Sequence, residues 1–212
     1  MTTMIDTNVP KLTIPSLRTV SNLAIGGVLG LIIWEFWARV ITKAVVGYPL
    51  EPAGLIDAIA QHQFGLSVPY LLREALHYGV GILGYPIAYF IISRALKNWS
   101  AILDAVVFVT FTVAAIYFAA MGKASLGTLI FWLTVTAFIA TRFINPNTRL
   151  RDSFAWGSFT WFNALGLMAP IGGLSFYVLQ DSPELSFMSF VGHVIYGAIA
   201  AWYFEWREDK AA

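Results

Sequence analysis

Six apolar runs, each near the length of about 20 residues that an α-helix needs to cross the hydrocarbon of a bilayer, constrain this chain more than any motif in it. They are Val20–Lys43, Pro69–Leu96, Ser100–Met121, Leu126–Ile144, Phe154–Leu179 and Leu185–Trp206. Backbone polar groups in lipid must be satisfied within the segment itself, which a helix does. The spacing therefore predicts an all-α, polytopic transmembrane helix bundle of about six spans. Residues 1–212 read as a single integral membrane domain, with residues 1–19 as an N-terminal cytoplasmic segment and no soluble domain to cut away. The third and fourth runs are separated only by "GKAS", so a hairpin that does not fully cross is the alternative for that pair.

Composition agrees. The chain is 58% hydrophobic and 12% charged, against about 25% charged in ordinary soluble domains. Eight Trp, nine Tyr and sixteen Phe suit helix contacts and the aromatic belts of a membrane protein. The lipid bilayer is the expected partner. A net charge of +1 provides no basic field, which excludes nucleic acid. The absence of cysteine excludes disulfides, thiolate metal sites, iron-sulfur clusters, covalent c-type haem and lipidation on sulfur. The opening "MTTMIDTNVPKLTIPSLRTV" lacks a basic leader, and the run behind it is too long and too aromatic for a signal peptide, so it reads as a retained helix.

Orientation follows from the basic residues. With both termini cytoplasmic, nine of the thirteen fall on inner segments: Lys11, Arg18, Arg94, Lys97, Arg142, Arg149, Arg151, Arg207 and Lys210. Arg39, Lys43, Arg73 and Lys123 remain outside, an asymmetry that fits the positive-inside rule. The outer loop 47–68 carries Pro52 at a first helical position, with Leu55, Ile56 and Ile59 on one face, and predicts a short amphipathic helix on the outer surface. The inner "NPNTRLRD" reads as a turn and charge anchor, and the outer "QDSPELS" as a turn followed by a helix cap.

Ionisable residues inside apolar runs are costly and so have partners, functions or both. Glu74 and His77 lie five and eight residues into the second run, Glu35 eight residues back from the end of the first, and His193 eight residues into the sixth. At 1.5 Å per residue all four sit roughly 8 to 12 Å deep in the outer half. Glu35 and Arg39 are four apart and Glu74 and His77 three apart, spacings at which helical side chains touch. Each membrane histidine also heads a stripe of small residues: His77, Gly81, Gly84, Ala88 and His193, Gly197, Ala200. Such stripes let helices approach closely or leave room for a flat ligand.

Three readings follow from this layer. In the first, an ion pair between Glu35 and Arg39 and hydrogen bonds among Glu74, His77 and His193 pin three spans together. In the second, His77 and His193 are the axial ligands of a haem b, or hold another tetrapyrrole pigment. In the third, Glu35, Glu74, His77 and His193 form a metal or proton site, since carboxylates and imidazoles are acceptable ligands. "WEFWAR" is similar to the E-x-x-x-R element of intramembrane CAAX-type proteases, but the doubled glutamate and the paired histidine motifs of that family are missing. His193 is followed four residues on by Gly197, and His77 is preceded four residues back by Arg73.

Other residues carry weaker signals. His62 falls in the predicted outer helix and reads as solvated. Asp104 falls near a helix start, where a negative charge is favoured. Asn163 and Pro170 interrupt the fifth run and predict a kink. Gly26 and Gly30 form a G-x-x-x-G packing face that also suits dimerisation. Short matches between "LGLIIW" and "LGTLIF" in the first and fourth runs raise an inverted-repeat transporter as an alternative.

At "SFVGHVIYGAIAAWYF", with "LHYGVGILGYPIAYF" before it, the chain resembles YagU-like small bacterial inner-membrane proteins. The match is a late Gly-His followed by an aromatic and small-residue helix, an early span with acidic and Trp residues, and a Pro-bearing loop after it. The additional apolar run in the middle departs from that pattern. The resemblance implies a multi-helix bundle in a bacterial inner (cytoplasmic) membrane and no reaction. The functional expectation is a non-enzymatic accessory or assembly component of a larger membrane complex, packing against other membrane-protein subunits. A haem b redox subunit or a small proton-coupled transporter using the Glu/His layer are the alternatives.

Overall fold

The computed structural model describes residues 14–96, 98–139 and 148–210, and among them every regular element is a helix. In chain order these are α1 (Leu17–Val46), α2 (Pro52–Phe64), α3 (Tyr70–Ala95), α4 (Trp99–Ala120), α5 (Ala124–Ile139), α6 (148–171) and α7 (Pro183–Asp209). Four of them, α1, α3, α4 and α7, are long and apolar enough to cross a membrane. That is the make-up of a membrane protein. The N-terminal segment up to residue 13, the end of the fourth run at 140–144 and the Asn-Pro turn at 145–147 lie outside the described residues.

Local chemistry sets the helix ends. The Ser16 hydroxyl caps α1 by accepting from the Thr19 amide at 3.1 Å, and Gly47 ends it in the left-handed region at φ 96°. Pro52 occupies the first turn of α2, and Gly65 ends that helix at φ 67°. Ser182 caps α7, accepting from Leu185 N at 3.3 Å, with Pro183 in the first turn. A helix within the loop 47–68 and the cap in "QDSPELS" are thus as the sequence predicts. The fifth apolar run is displaced: its helix starts before Phe154 and stops at Ile171, not Leu179. Gly173 turns the chain there with φ 78°, and Phe176–Val178 follows as a single 3₁₀ turn. Hydropathy alone cannot register that break, because Leu174, Phe176 and Val178 are as apolar as the helix they follow.

The helices pack in a row. Helix α3 lies against α1, α1 against α7, α7 against α6, α6 against α4, and α4 against α5, while α2 rests on α3 and on the end of α6. Close approach depends on small residues. A Cβ on Gly157 would lie 2.5 Å from the Val194 Cα, and one on Gly197 would lie 2.6 Å from the Gly157 Cα, so α6 and α7 touch backbone to backbone. Gly26 and Gly30 of the G-x-x-x-G face Ala200 and Tyr196 of α7. That face is therefore used within the chain, and the small-residue stripe of His193, Gly197 and Ala200 serves packing.

Among the described residues, three helices contain a π-helical turn: Trp37–Ile41 in α1, Val80–Gly84 in α3 and Phe162–Met168 in α6. Two have a visible cause. Pro86 and Pro170 lack the amide hydrogen that would bond the carbonyl four residues back, and their rings crowd it, so the ladder widens just before each proline. In α1 the Thr42 hydroxyl donates to the Trp37 carbonyl at 3.0 Å, satisfying an acceptor in the altered ladder.

Candidate functional site

The π-helical turn of α1 carries Arg39, and this arginine organises the polar layer. Its Nε donates to Glu35 Oε2, and its Nη2 donates to both oxygens of Glu74, at 3.1 and 2.8 Å. His77 Nε2 donates to the remaining Glu35 oxygen at 2.8 Å. A chain of contacts, His77 to Glu35 to Arg39 to Glu74, thus ties α1 to α3. Each carboxylate is matched by the guanidinium between them. The Glu74 residue is 8% exposed, and charge-assisted bonds of this kind are what make a carboxylate tolerable at such a place.

His193 stands apart from that chain. Its Nδ1 lies 2.8 Å from the Ser189 carbonyl, one helical turn back on α7, with the Ser189 hydroxyl at 3.3 Å. A carbonyl only accepts, so the ring hydrogen is on Nδ1. In the neutral imidazole the lone pair is then on Nε2. The Trp34 ring packs edge-on against the imidazole with centroids 4.3 Å apart. Of the four residues of the predicted layer, Glu35 and His77 are therefore bonded directly and Glu74 is joined to them through Arg39, while His193 packs against Trp34 instead.

Both histidines line one cavity of about 400 Å³. Leu31 and Trp34 of α1, Tyr85 of α3, Leu165 of α6 and Tyr196 of α7 form much of its apolar wall, with α2 and the 174–178 turn at one side. Two of the three π-helical turns contribute to it, through Gly81 and through Ala164 to Met168. The irregular backbone is held by tyrosines: Tyr196 donates to the Gly81 carbonyl at 2.6 Å, and Tyr85 donates to Asn163 Oδ1 at 3.1 Å. Asn163 and Pro170 thus do interrupt α6, and the asparagine serves as an anchor for α3. A mostly apolar cavity with a few convergent polar atoms has the form of a small-molecule site.

Two expectations change on this geometry. The bis-histidine haem is not formed as drawn, because Nε2 of His77 is already bonded to Glu35 Oε1 and only His193 keeps that nitrogen without a partner among the described residues. The metal set of Glu35, Glu74, His77 and His193 is not assembled either: a guanidinium already sits between the two carboxylates. Among the described residues no group of three or more His, Cys, Asp or Glu side chains is arranged to hold a metal ion. His62 is exposed on α2, as expected, and its ring packs over Gly173.

Sequence reasoning passed over a second polar cluster, which joins α3 to the far end of α7. Arg94 Nη1 and Nη2 donate to the two oxygens of Glu205 at 2.9 Å each, and Tyr89 donates to Glu205 Oε1 at 2.7 Å. Asn22 on α1 donates to Glu208 at 2.8 Å beside it. The only signal for it was an arginine near one helix end and a glutamate near another, which hydropathy assigns to the membrane surface.

Comparison with known proteins finds no matching family model, no matching curated protein and no matching solved structure.

Proposed function

We propose that this chain is a six-span integral membrane protein of a bacterial inner membrane, with both termini cytoplasmic, acting as a non-enzymatic accessory component of a larger membrane assembly. The observation that carries this reading is the closed pairing of Glu35, Arg39, Glu74 and His77. Catalysis or proton carriage needs an acid or base whose proton is available, and here both carboxylates accept from one arginine. What such a cluster does well is hold α1 and α3 in register. The helices meanwhile present apolar side chains outward, among them Ile32, Phe36, Leu71, Ile116 and Trp202, to lipid or to partner subunits. The basic-residue asymmetry supports the orientation, and the resemblance to YagU-like proteins supports the location.

Purification in mild detergent tests this. The expected result is co-elution with other membrane subunits, identified by mass spectrometry. Proton-dependent uptake in vesicles that disappears in both Glu35→Gln and Glu74→Gln, with folding intact, would instead establish a carrier.

A second reading is favoured by one observation, the Nδ1 bond of His193 to the Ser189 carbonyl. The same backbone bond orients histidines that bind metals through Nε2, so a tetrapyrrole held by His193 alone is the ligand this cavity would take. The protein would then be coloured, with a Soret band lost in His193→Ala and kept in His77→Ala. Colourless protein with no tetrapyrrole on extraction ends that reading.

A further inference from the structure

A second cavity, of about 480 Å³, lies between α4, α5, α6 and α7. Its wall is nearly all apolar and rich in flat rings, among them Phe108, Phe111, Phe154 and Phe190. Asp104 also lines the slot. Among the described residues, the Ser158 hydroxyl, the Trp161 indole Nε1 and the Ser186 hydroxyl on that wall have no hydrogen-bond partner. Their residues are 0%, 3% and 2% exposed. Ser158 and Trp161 are three residues apart on one face of α6, and Ser186 of α7 borders this slot and the first cavity alike. A buried indole N–H normally finds an acceptor, and leaving one unsatisfied costs the full desolvation of the group.

The donor set says what is missing. Indole nitrogen only donates, and a serine hydroxyl donates as readily as it accepts, so the complement is an uncharged acceptor oxygen on an apolar body. Depth narrows the choice, on the membrane-bundle reading given above. Trp161 stacks on Phe111 with ring centroids 4.8 Å apart, and Phe111 lies near the middle of the 22-residue helix α4. That point is roughly 15 Å from either end of the helix. A phospholipid ester carbonyl is tied to the headgroup level, whereas a lipid-soluble quinone carries its carbonyls on a flat ring that moves within the hydrocarbon. We infer that the slot between α4, α5, α6 and α7 is a binding site for a lipid-soluble quinone, its carbonyl accepting from Trp161 Nε1 and Ser158 and its ring lying among the phenylalanines. The inference concerns binding, and no electron transfer is attached to it.

The experiment uses the full chain reconstituted in nanodiscs and a short-chain alkyl benzoquinone, which quenches tryptophan emission on contact. Wild type should show a saturable quenching component, and Trp161→Phe, which keeps the aromatic packing, should lose it. Ser158→Ala should raise the half-saturation concentration about threefold to tenfold, the worth of one neutral hydrogen bond. Quenching that rises linearly and equally in wild type and Trp161→Phe overturns the proposal. A second measurement replaces the lipid with brominated acyl chains, whose contact also quenches. Bromine quenching of the Trp161 component that the quinone fails to displace assigns the slot to an acyl chain and likewise overturns it. Should Trp161→Phe not fold, displacement of bromine quenching by quinone in Ser158→Ala against wild type decides the matter. Failure of the protein to enter the bilayer at all would refute the membrane reading, a result distinct from an inserted protein that ignores the quinone.

Discussion

The cavity walled by α1, α3, α6 and α7 and the slot walled by α4, α5, α6 and α7 share two helices and are of similar size, about 400 and 480 Å³, yet they treat polar groups in opposite ways. Around the first, the cluster of Glu35, Arg39, Glu74 and His77 is closed, the Gly81 carbonyl has Tyr196, and Asn163 has Tyr85. Around the second, Ser158 and Trp161 have no hydrogen-bond partner among the described residues, and neither has Ser186, which borders both cavities. The difference separates polar groups that hold helices together from polar groups that await something. Removing a partner in the first region leaves a buried group stranded, whereas removing a hydroxyl in the second strands nothing.

Substitutions ordered by expected effect can break or sharpen that contrast. Arg39→Ala should be the most damaging, because it leaves two facing carboxylates without their cation. The 35% side-chain exposure of Arg39 brings the loss to about 2–3 kcal/mol, below that for a fully buried pair, read as a lowered Tm in detergent. Next comes Gly157→Ala, whose new methyl would meet the Val194 backbone and force α6 from α7 at about 2 kcal/mol. Since those helices wall both cavities, Gly157→Ala should disturb ligand binding in both, which cavity-specific probes would reveal. Tyr196→Phe removes only the donor to Gly81 and should lower stability by about 1 kcal/mol, visible as faster exchange of amides near 80–84. Ser158→Ala should be close to neutral, within about 0.5 kcal/mol, and its effect should appear in quinone affinity instead. A large loss of stability in Ser158→Ala would erase the contrast between the two regions.

How much of this was legible in the residues follows from how local each signal is. Helix positions were readable because apolar runs and their caps are local: Ser182 with Pro183, Pro52 with Gly65, and the turn at "GKAS", where Gly122 takes φ 77°. The Glu35–Arg39 pair was readable from its spacing of four. The guanidinium's second partner, Glu74, is 35 residues away, and the bonds of His77 to Glu35 and of Arg94 to Glu205 span 42 and 111 residues. Nothing local announces such pairings. The same gap explains the two histidines. Both line one cavity, but their positions in the sequence do not say which ring nitrogen is already in use. The break after Ile171 was missed because a glycine turn inside an apolar stretch changes direction without changing hydropathy.

The widened turns before Pro86 and Pro170 bear on how the protein is made. A helix with a loosened ladder carries backbone acceptors without an intrahelical donor, which lipid cannot satisfy, and in α3 the Gly81 acceptor is met by Tyr196 of α7. During synthesis α3 emerges long before α7, so, on the membrane reading proposed above, α3 has an unmet carbonyl in the bilayer until α7 inserts. On that reading the arrival of α7 completes α3, and a ribosome-bound chain ending before Pro183 should be recognised by membrane quality control as unfinished.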